Sequence, residues 1–182
     1  MFYKTEKNDH GLPHDPFKAL VSPRPNAWIS STSKEGVDNL APYSFFQAVS
    51  DRPKIIMFSS GGEKDSVLNA RDTGYFCCNL VGRRHIDAMN RSSMSVDRGV
   101  DEFDLAQVEK TPCESIPTPR VADAVSSLEC VVTEIVNPKD KAGKPTQNHM
   151  VFGQVVGIHI DKDCLVTGRF DPVIDCLTAR LG

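Results

Sequence analysis

Residues 22–60 constrain the fold of this chain more than any other stretch. Three short runs rich in apolar and β-branched residues, at residues 27–32, 37–41 and 54–60, predict three strands. Ser33-Lys34-Glu35-Gly36 separates the first two runs, and its glycine suits the corner of a hairpin. Small residues before the third run indicate a further corner. The stretch therefore predicts the beginning of a β-sheet.

The rest of the chain adds strands that a few helices interrupt. The predicted helices are residues 63–73, 84–94 and 172–180. The further predicted strands are residues 75–81, 126–136, 149–160 and 164–167. Residues 100–124 are acidic and then proline-rich, which predicts an extended surface connection. Gly153 and Gly157 lie on one side of their strand, which indicates strong bending or a close backbone approach.

This order of elements predicts the fold class. Short strands with few helices are typical of a mainly β fold, here a closed β-barrel with helical insertions. A doubly wound sheet would need regular alternation of strands and helices, which the sequence lacks. No repeat or second domain is visible, so we expect one domain over residues 1–182, with residues 1–22 as an N-terminal arm.

Charge and cysteine usage narrow the function classes. The net charge is -3, so no overall attraction to nucleic acid or to an anionic membrane is expected. No apolar run reaches membrane-spanning length, and the first residues lack the apolar core of a signal peptide. The six cysteines form no C-x-x-C pair, a pattern typical of reduced thiols in the cytoplasm. We therefore expect a cytoplasmic protein with no nucleic-acid or membrane partner.

The start of the helix at residues 63–73 is a candidate anion site. Gly61 and Gly62 follow a predicted strand, and a helix beginning there would direct free backbone N–H groups outward. Lys64 would add positive charge and Ser66 a hydroxyl donor. The spacing is not that of a Walker A loop. Taken alone, a plain strand-to-helix turn with Asp65 as the N-cap is the favoured interpretation.

A group of hydroxyl and amide side chains falls within the first hairpin. The group consists of Ser30, Ser31, Thr32, Asn39 and Ser44. These side chains can satisfy the donors of turns, or they can supply short polar contacts to the edge of a ring system. The residues alone leave both interpretations open.

Other catalytic chemistry has little support in the sequence. There is no G-x-S-x-G elbow, no zinc deaminase signature and no H-E-x-x-H motif. A metal set made of His10, His14 and Asp15 is disfavoured because Gly-Leu-Pro between the histidines prevents a regular helix, so we expect no metal. His149 begins a strand after a polar loop, where it could face a cleft, although a lone histidine more often has a structural role.

Several motifs together resemble a known family. The chain contains P-R-P-N-A-W from Pro23, N-L-A-P-Y-S-F-F from Asn39, K-D-S from Lys64 and G-Y-F-C-C-N-L from Gly74. In this order they resemble the flavin reductase-like, FMN-binding split-barrel proteins. The similarity is strong over residues 16–80 and weaker over residues 149–157, and the final R-L-G is also similar.

The resemblance implies a fold, a cofactor and a site. The fold would be an FMN-binding split barrel that forms a homodimer with FMN near the subunit interface. The residues implied at the isoalloxazine and ribityl chain are Ser30, Ser31, Thr32, Asn39, Ala41, Pro42, Tyr43, Ser44 and Phe45. The residues implied at the phosphate end are Ser59, Ser60, Lys64, Asp65 and Ser66. His149 falls near the place where some of these reductases put a histidine beside the nicotinamide, so it is the candidate catalytic residue.

The resemblance also implies a function with one main alternative. We expect an FMN-binding oxidoreductase, an NAD(P)H-dependent flavin reductase in which NADH or NADPH delivers hydride to flavin N5. The reduced flavin would serve a partner oxygenase or another redox partner. The alternative is a flavoredoxin-like electron-transfer protein without a nicotinamide site, and a flavin-free barrel used for protein interaction is a third possibility. Two departures are visible: Ser66 stands where threonine is more usual, and family members usually continue beyond the R-L-G of this chain.

Overall fold

The structure is a computed structural model that describes residues 1–173 and 177–181. The helices are α1 (Phe17–Leu20), α2 (Asp65–Thr73), α3 (Ile86–Arg91) and α4 (Glu102–Ala106), with short 3-10 helices at Arg83–His85 and Lys162–Cys164. The strands in the first half are β1 (Arg24–Pro25), β2 (Ala27–Thr32), β3 (Asp38–Tyr43), β4 (Phe46–Asp51), β5 (Lys54–Gly61) and β6 (Tyr75–Leu80). The later strands are β7 (Lys110–Pro112), β8 (Pro119–Val121), β9 (Ser126–Val136), β10 (Asn148–Ile160), β11 (Leu165–Val166), β12 (Arg169–Phe170) and β13 (Ala179–Arg180).

The central element is a seven-stranded antiparallel sheet in the order β3-β2-β6-β9-β10-β5-β4. The predicted strands at residues 27–32 and 126–136 have these same bounds in the structure as β2 and β9. The strands at the two edges, β3 and β4, follow one another in the chain. Pro42 lies in β3, where an edge position tolerates a residue without a backbone donor. The mainly β class predicted from the sequence is confirmed.

The inner face of the sheet encloses the main core. Phe58 stands at its centre with 1% exposure, and its ring centroid lies 4.8 Å from that of Tyr43 and 5.2 Å from that of Phe76. Val67 and Ala70 place the apolar face of α2 against this core. Aromatic side chains of this size each bury a large apolar area, so the three rings hold β3, β5 and β6 together.

A second cluster lies on the opposite face, where the helical insertions pack. Its buried members are Trp28, Leu40, Val81, Met89, Phe103 and Val121. The indole Nε1 of Trp28 donates to Ser92 Oγ at 2.8 Å, which satisfies the one polar atom of that side chain. The cluster attaches α3 and α4 to β2 and β3, and this attachment sets one wall of the cavity described below.

The two glycines of β10 permit close packing, as predicted. A Cβ atom at Gly153 would lie 2.5 Å from the ring of Phe76, and one at Gly157 would lie 3.1 Å from the carboxylate of Glu129. Real Cβ contacts do not approach this closely to a packed ring, so β10 can cross β9 at this curvature only with glycine at position 153. Register shifts between Phe152 and Gly153 and between Val155 and Gly157 accompany the bend.

Several boundaries differ from the predictions. Helix α2 begins at Asp65 with Lys64, not Asp65, as its N-cap residue, and no side chain caps it. The segment before residue 54, which was predicted as a corner, contains the strand β4. Its small and polar residues face solvent and hide the alternation of apolar and polar residues that is typical of a strand. The predicted helix at residues 84–94 is a 3-10 turn followed by the shorter α3.

Two predictions in the later half also need correction. Residues 100–124 are not wholly an extended surface connection, because they contain α4 with Phe103 fully buried, and β7 and β8 pair with each other. Of the helix predicted at residues 172–180, Ala179–Arg180 is the strand β13, which pairs with β1. Residues 174–176 of that prediction lie outside the described residues.

Among residues 1–173 and 177–181, no helix combines the length and the apolar composition that a bilayer span requires.

Candidate functional site

A cavity of about 370 Å³ opens where the end of β3, the start of α2 and residues 92–98 meet. We call it the helix-start cavity. Its walls include many of the predicted cofactor residues, namely Asn39, Ala41, Pro42, Tyr43, Lys64, Asp65 and Ser66. Glu63, Arg98 and Glu102 add charged groups to the same walls. The structure thus brings together two stretches that are separate in the sequence.

The start of α2 supplies unpaired backbone donors to this cavity. Lys64 is extended at φ -83° and ψ 170°, and its carbonyl accepts from the amides of Val67 and Leu68 at 2.9 and 3.0 Å. The backbone amides of Asp65 and Ser66 lie in the first turn, where an α-helix offers them no acceptor. No side chain of the described residues caps this helix end. Gly62, at φ +105°, makes the turn from β5 that a bulkier residue would make with strain. The result is a helix start whose dipole favours an anion.

Asn39 connects the first hairpin to both neighbouring helices. Its Oδ1 accepts from Ser31 Oγ at 3.2 Å and from Ser66 Oγ at 2.7 Å. Its Nδ2 donates to Glu102 Oε1 at 3.0 Å. A buried amide whose oxygen and nitrogen are both hydrogen-bonded fixes the relative positions of its neighbours. Asn39 therefore holds the back wall of the helix-start cavity. Because the Ser66 hydroxyl donates to Asn39, it is not the free hydroxyl donor that was predicted at the helix start.

Two buried titratable groups face this back wall. Burial raises the pKa of Glu102, although the Leu40 amide and Asn39 stabilise its charged form by hydrogen bonds. Burial also raises the pKa of Tyr43, which keeps the phenol neutral. Tyr43 Oη lies near Ser60 and Ser66 but completes no hydrogen bond among the described residues. Buried hydroxyls are seldom left without a partner, so this donor is suited to a ligand acceptor.

The charges at the cavity mouth are unevenly paired. Arg71 holds Glu63 at 2.5 Å and lowers the pKa of that carboxyl, and Arg98 Nε lies 3.9 Å from Asp65. Lys64 is exposed and has no ion-pair partner within residues 1–173 and 177–181. The cation nearest the helix start is therefore available to an anionic ligand.

The structure places the first three predicted cofactor residues behind the cavity rather than in its wall. Ser30 Oγ donates to Pro119 O at 2.7 Å, Ser31 Oγ donates to Asn39, and Thr32 Oγ1 donates to Asp38 Oδ1 at 2.7 Å. Ser30 and Ser31 are fully buried. Their hydroxyls serve the protein interior, and contact with a cofactor stays a prediction for these residues.

The remaining predicted residues lie on the other sides of the same region. Ser44 and Phe45 line a second pocket, between β4 and the N-terminal arm. Ser60 is buried and donates to Gly62 O at 2.9 Å, while Ser59 Oγ accepts from Asn148 Nδ2 at 3.2 Å. These two serines thus shape the end of β5 just before the helix start.

His149 lies beside the site but does not line the helix-start cavity. It is the cross-strand neighbour of Ser60 on β10, and it is half-buried. Its Nδ1 lies 3.0 Å from Asn137 Nδ2, a contact that orients the ring. A catalytic role for His149 stays a prediction.

Arg98 and Glu102 also line the helix-start cavity, and the sequence did not predict them there. They follow the irregular segment 92–96, which also lines the cavity. The available signal was Asp101, whose side chain accepts from the Phe103 amide at 2.9 Å as an N-cap, followed by apolar Phe103 and Ala106. An Asp before an apolar residue and another three positions later is a helix-start pattern. That pattern was obscured by the acidic composition of residues 101–104.

Three buried thiols of the sheet, those of Cys77, Cys78 and Cys130, offer little nucleophilic chemistry. Burial raises the pKa of Cys78 and of Cys130. The neighbouring Cys113 thiol and burial raise the pKa of Cys77. Since the thiolate is the reactive form, these buried cysteines act as core residues.

The antiparallel sheet and the polar cavity at the start of α2 define the class of protein: a mainly β fold with a polar pocket at a helix start. Residues 20–172 match the family described as flavin reductase like domain, and the chain belongs to this family. An uncharacterised protein of Aquifex aeolicus is 32% identical over 151 residues, which are 80% of this chain and 74% of that protein.

Solved structures agree with the family and with the barrel. Nitrilotriacetate monooxygenase component B of Bacillus cereus is 29% identical, with a TM-score of 0.82 and coverage of 94% of this chain and 87% of that chain. A protein of Shewanella frigidimarina with a split barrel domain is 17% identical with a TM-score of 0.82, covering 96% of this chain and 88% of that chain. The predicted family resemblance and the split-barrel fold are confirmed.

Proposed function

We propose that this chain is an FMN-binding oxidoreductase that acts as an NAD(P)H-dependent flavin reductase. The observation that carries the proposal is the helix-start cavity, where the unpaired Lys64, the uncapped start of α2 and the unpartnered Tyr43 Oη converge. A phosphate ester needs cations and N–H donors, and a flavin ring needs donors along its polar edge. The residues present fit both requirements.

The phosphate end of FMN would lie at the start of α2. Lys64 supplies charge, the amides of Asp65 and Ser66 supply donors, and Ser59 and Ser60 shape the adjacent end of β5. Asp65 is itself acidic, but Arg98 lies 3.9 Å away and offsets its charge. The phosphate would therefore meet Lys64 without facing an uncompensated carboxylate from Asp65.

The ring end would lie along residues 41–45. Ala41 and Pro42 offer a flat wall of small side chains, and Tyr43 offers a donor that burial keeps neutral. Asn39 and Glu102 would hold this wall in position. When bound, FMN supplies the chemistry of accepting a hydride at N5 and passing electrons to an acceptor. The protein would bind and orient the cofactor, and His149 would stand beside the nicotinamide.

The proposal extends to partners. Component B of a nitrilotriacetate monooxygenase is among the similar proteins, so we propose that reduced flavin serves a partner oxygenase. We also propose a homodimer, because Val131, Val156, Ile158 and Ile160 on β9 and β10 expose 37–49% of their surface. Free cysteines that form no disulfide within the described residues suit a reducing, cytoplasmic location.

Steady-state oxidation of NADH and NADPH by the full chain with added FMN tests the activity. We expect consumption of at least one nucleotide well above the rate with free FMN, and a lower rate for Lys64→Ala at limiting FMN. Lys54→Ala is the matched control, because Lys54 is exposed at the far end of β5. Nucleotide oxidation no faster than with free FMN would contradict the reductase function.

The same protein sample distinguishes the flavin reductase from the flavoredoxin-like alternative. A flavin that survives dialysis, yet is reduced by dithionite and not by either nucleotide, would indicate an electron-transfer protein without a nicotinamide site. A chain that does not bind FMN at all would contradict both functions and favour a flavin-free barrel.

A further inference from the structure

A second pocket of about 370 Å³ lies between the N-terminal arm and β4. We call it the arm pocket. Most of its wall is apolar, with Leu20, Val21 and Pro23 on the arm side and Phe45, Phe46 and Met57 on the sheet side. Its size lies in the range of small-molecule sites, which are mostly apolar with a few fixed polar groups.

The fixed polar group of this pocket is the guanidinium of Arg24. Arg24 is only 7% exposed, and its Nη1 donates to the carbonyl oxygens of Lys18 and Val21, the latter at 2.9 Å. Nε is buried and has no hydrogen-bond partner. Nη2 likewise has no acceptor among residues 1–173 and 177–181. One edge of the guanidinium, Nε with Nη2, is therefore unused by the protein.

None of the described carboxylates forms an ion pair with Arg24. No Asp or Glu is among the described residues that line the arm pocket. On the neighbouring strand β13, Arg180 stands directly opposite Arg24, so the nearest cross-strand residue adds a second positive charge. A buried cation compensated only by carbonyl groups is costly, and like charges on paired positions repel. The surroundings of Arg24 therefore favour a ligand with negative charge.

The geometry of the unused edge selects the kind of anion. Two parallel N–H groups in one plane match the two oxygens of a planar carboxylate. The guanidinium carbon lies 6.0 Å from the centroid of Phe45, which is 36% exposed and lines the arm pocket. Phe45 and Phe46 offer ring faces on which a flat apolar body can stack.

We propose that the arm pocket binds a small carboxylic acid with a flat apolar body, such as an aromatic acid, through the Nε and Nη2 edge of Arg24. Rotation of Phe45 admits the ligand, and the carboxylate takes the two free N–H donors. Ser44 and Phe45 also belong to the predicted flavin segment, so the acid would bind next to the proposed ring position. Binding at Arg24 does not require flavin.

Isothermal titration calorimetry with the full chain tests this proposal, with benzoate as the probe and benzamide as its neutral counterpart. Benzoate is expected to bind, and benzamide to bind at least about tenfold more weakly, because only the carboxylate completes the charged pair. The titration is run with and without FMN. A chain that binds FMN but not benzoate overturns this proposal alone, and a chain that binds benzoate but not FMN overturns only the proposed function.

Two variants locate the binding. Arg24→Gln is expected to weaken benzoate binding about tenfold or more, while Arg52→Gln, at an exposed arginine in the turn before β5, leaves it unchanged. Because Arg24 also holds the carbonyls at the end of α1, a second variant avoids that contact. Gln47→Glu adds a carboxylate to the pocket wall and is expected to weaken benzoate about threefold or more.

Gln154→Glu on the exposed face of β10 is the matched control for Gln47→Glu and should leave benzoate affinity unchanged. Equal binding of benzoate and benzamide overturns the proposal. So does unchanged benzoate affinity in Gln47→Glu, and so does an equal loss in Gln47→Glu and Gln154→Glu. Should Arg24→Gln not fold, the Gln47 and Gln154 pair decides the outcome.

Discussion

The helix-start cavity and the arm pocket have the same volume, about 370 Å³, and opposite chemistry. Residues 41–46 run between them, so one short stretch of chain lines both. The helix-start cavity contains cations, carboxylates and backbone donors, whereas the arm pocket is apolar with one buried cation. The difference lies in what surrounds the shared stretch: a helix start on one side and a proline-rich arm on the other.

The comparison shows how charge is used in each place. At the helix-start cavity, the charges of Glu63 and Asp65 are offset by arginines, and Lys64 is the unpaired group at the surface. Such a site can bind a strongly hydrated anion because it also offers backbone donors. In the arm pocket, the guanidinium of Arg24 is buried and only some of its N–H groups are hydrogen-bonded. An anion with an apolar body is therefore expected to bind there more favourably than a strongly hydrated anion.

Phe58→Ala should disturb the helix-start cavity and the arm pocket together. Phe58 packs on Tyr43, which lines the helix-start cavity, and its register partner on β4 is Phe46, which lines the arm pocket. We expect a loss of about 3–5 kcal/mol in the free energy of unfolding, because a fully buried ring is removed. Urea denaturation measures this loss. Phe2→Ala, at a residue that is 87% exposed, is the control, and an equal effect of both changes would contradict the assignment of the core.

Asn39→Ala should affect the helix-start cavity and leave the arm pocket intact. It removes the hydrogen bonds of Asn39 to Ser31, Ser66 and Glu102 and leaves a buried carboxylate short of a donor. A destabilisation of about 2–3 kcal/mol is expected, together with weaker FMN binding. Denaturation and FMN titration are the measurements. Benzoate affinity should not change, and a parallel loss of benzoate and FMN binding would mean that the two places are not separate.

The smallest effect concerns pH and Glu102. Burial raises its pKa in the folded chain, so the folded state retains a proton that the unfolded state has already released. Stability should therefore fall as pH rises above the ordinary glutamate pKa of about 4.3 and through the raised value. Glu102→Gln lacks this titration, so its stability relative to the wild type should improve with rising pH. Denaturation of both proteins at acidic and at neutral pH measures this trend. If the carboxylate of Glu102 were stabilising, the stability of Glu102→Gln relative to the wild type would instead fall with rising pH.

The sequence was most informative where local chemistry and tertiary structure agree. The β-branched and apolar runs of β2 and β9 predict the observed strands because these strands are buried in the middle of the sheet. Gly153 was predicted to mark a close approach, and Phe76 is the group that requires it. The position of Lys64 and Ser66 at a helix start also followed from the strand, glycine and helix order.

The sequence was less informative where tertiary contacts override composition. The acidic residues around α4 resemble a solvated surface. Glu102 is nevertheless buried, because Asn39 and the Leu40 amide donate hydrogen bonds to its carboxylate. The hydroxyls of Ser30 and Ser31 resemble ligand donors, but β8 and Asn39 accept their hydrogen bonds. The isolation of Arg24 could not be predicted, since it depends on which residues of β4 and the arm meet.

FMN and riboflavin titrations of the wild type and of Lys64→Ala test the central claim most directly. Riboflavin carries the same ring without the phosphate, so the claim predicts that FMN binds more tightly than riboflavin in the wild type. Lys64→Ala should weaken FMN on the order of tenfold and leave riboflavin unchanged. An unchanged FMN affinity in Lys64→Ala, or an equal loss for both flavins, would contradict the placement of the phosphate at the start of α2.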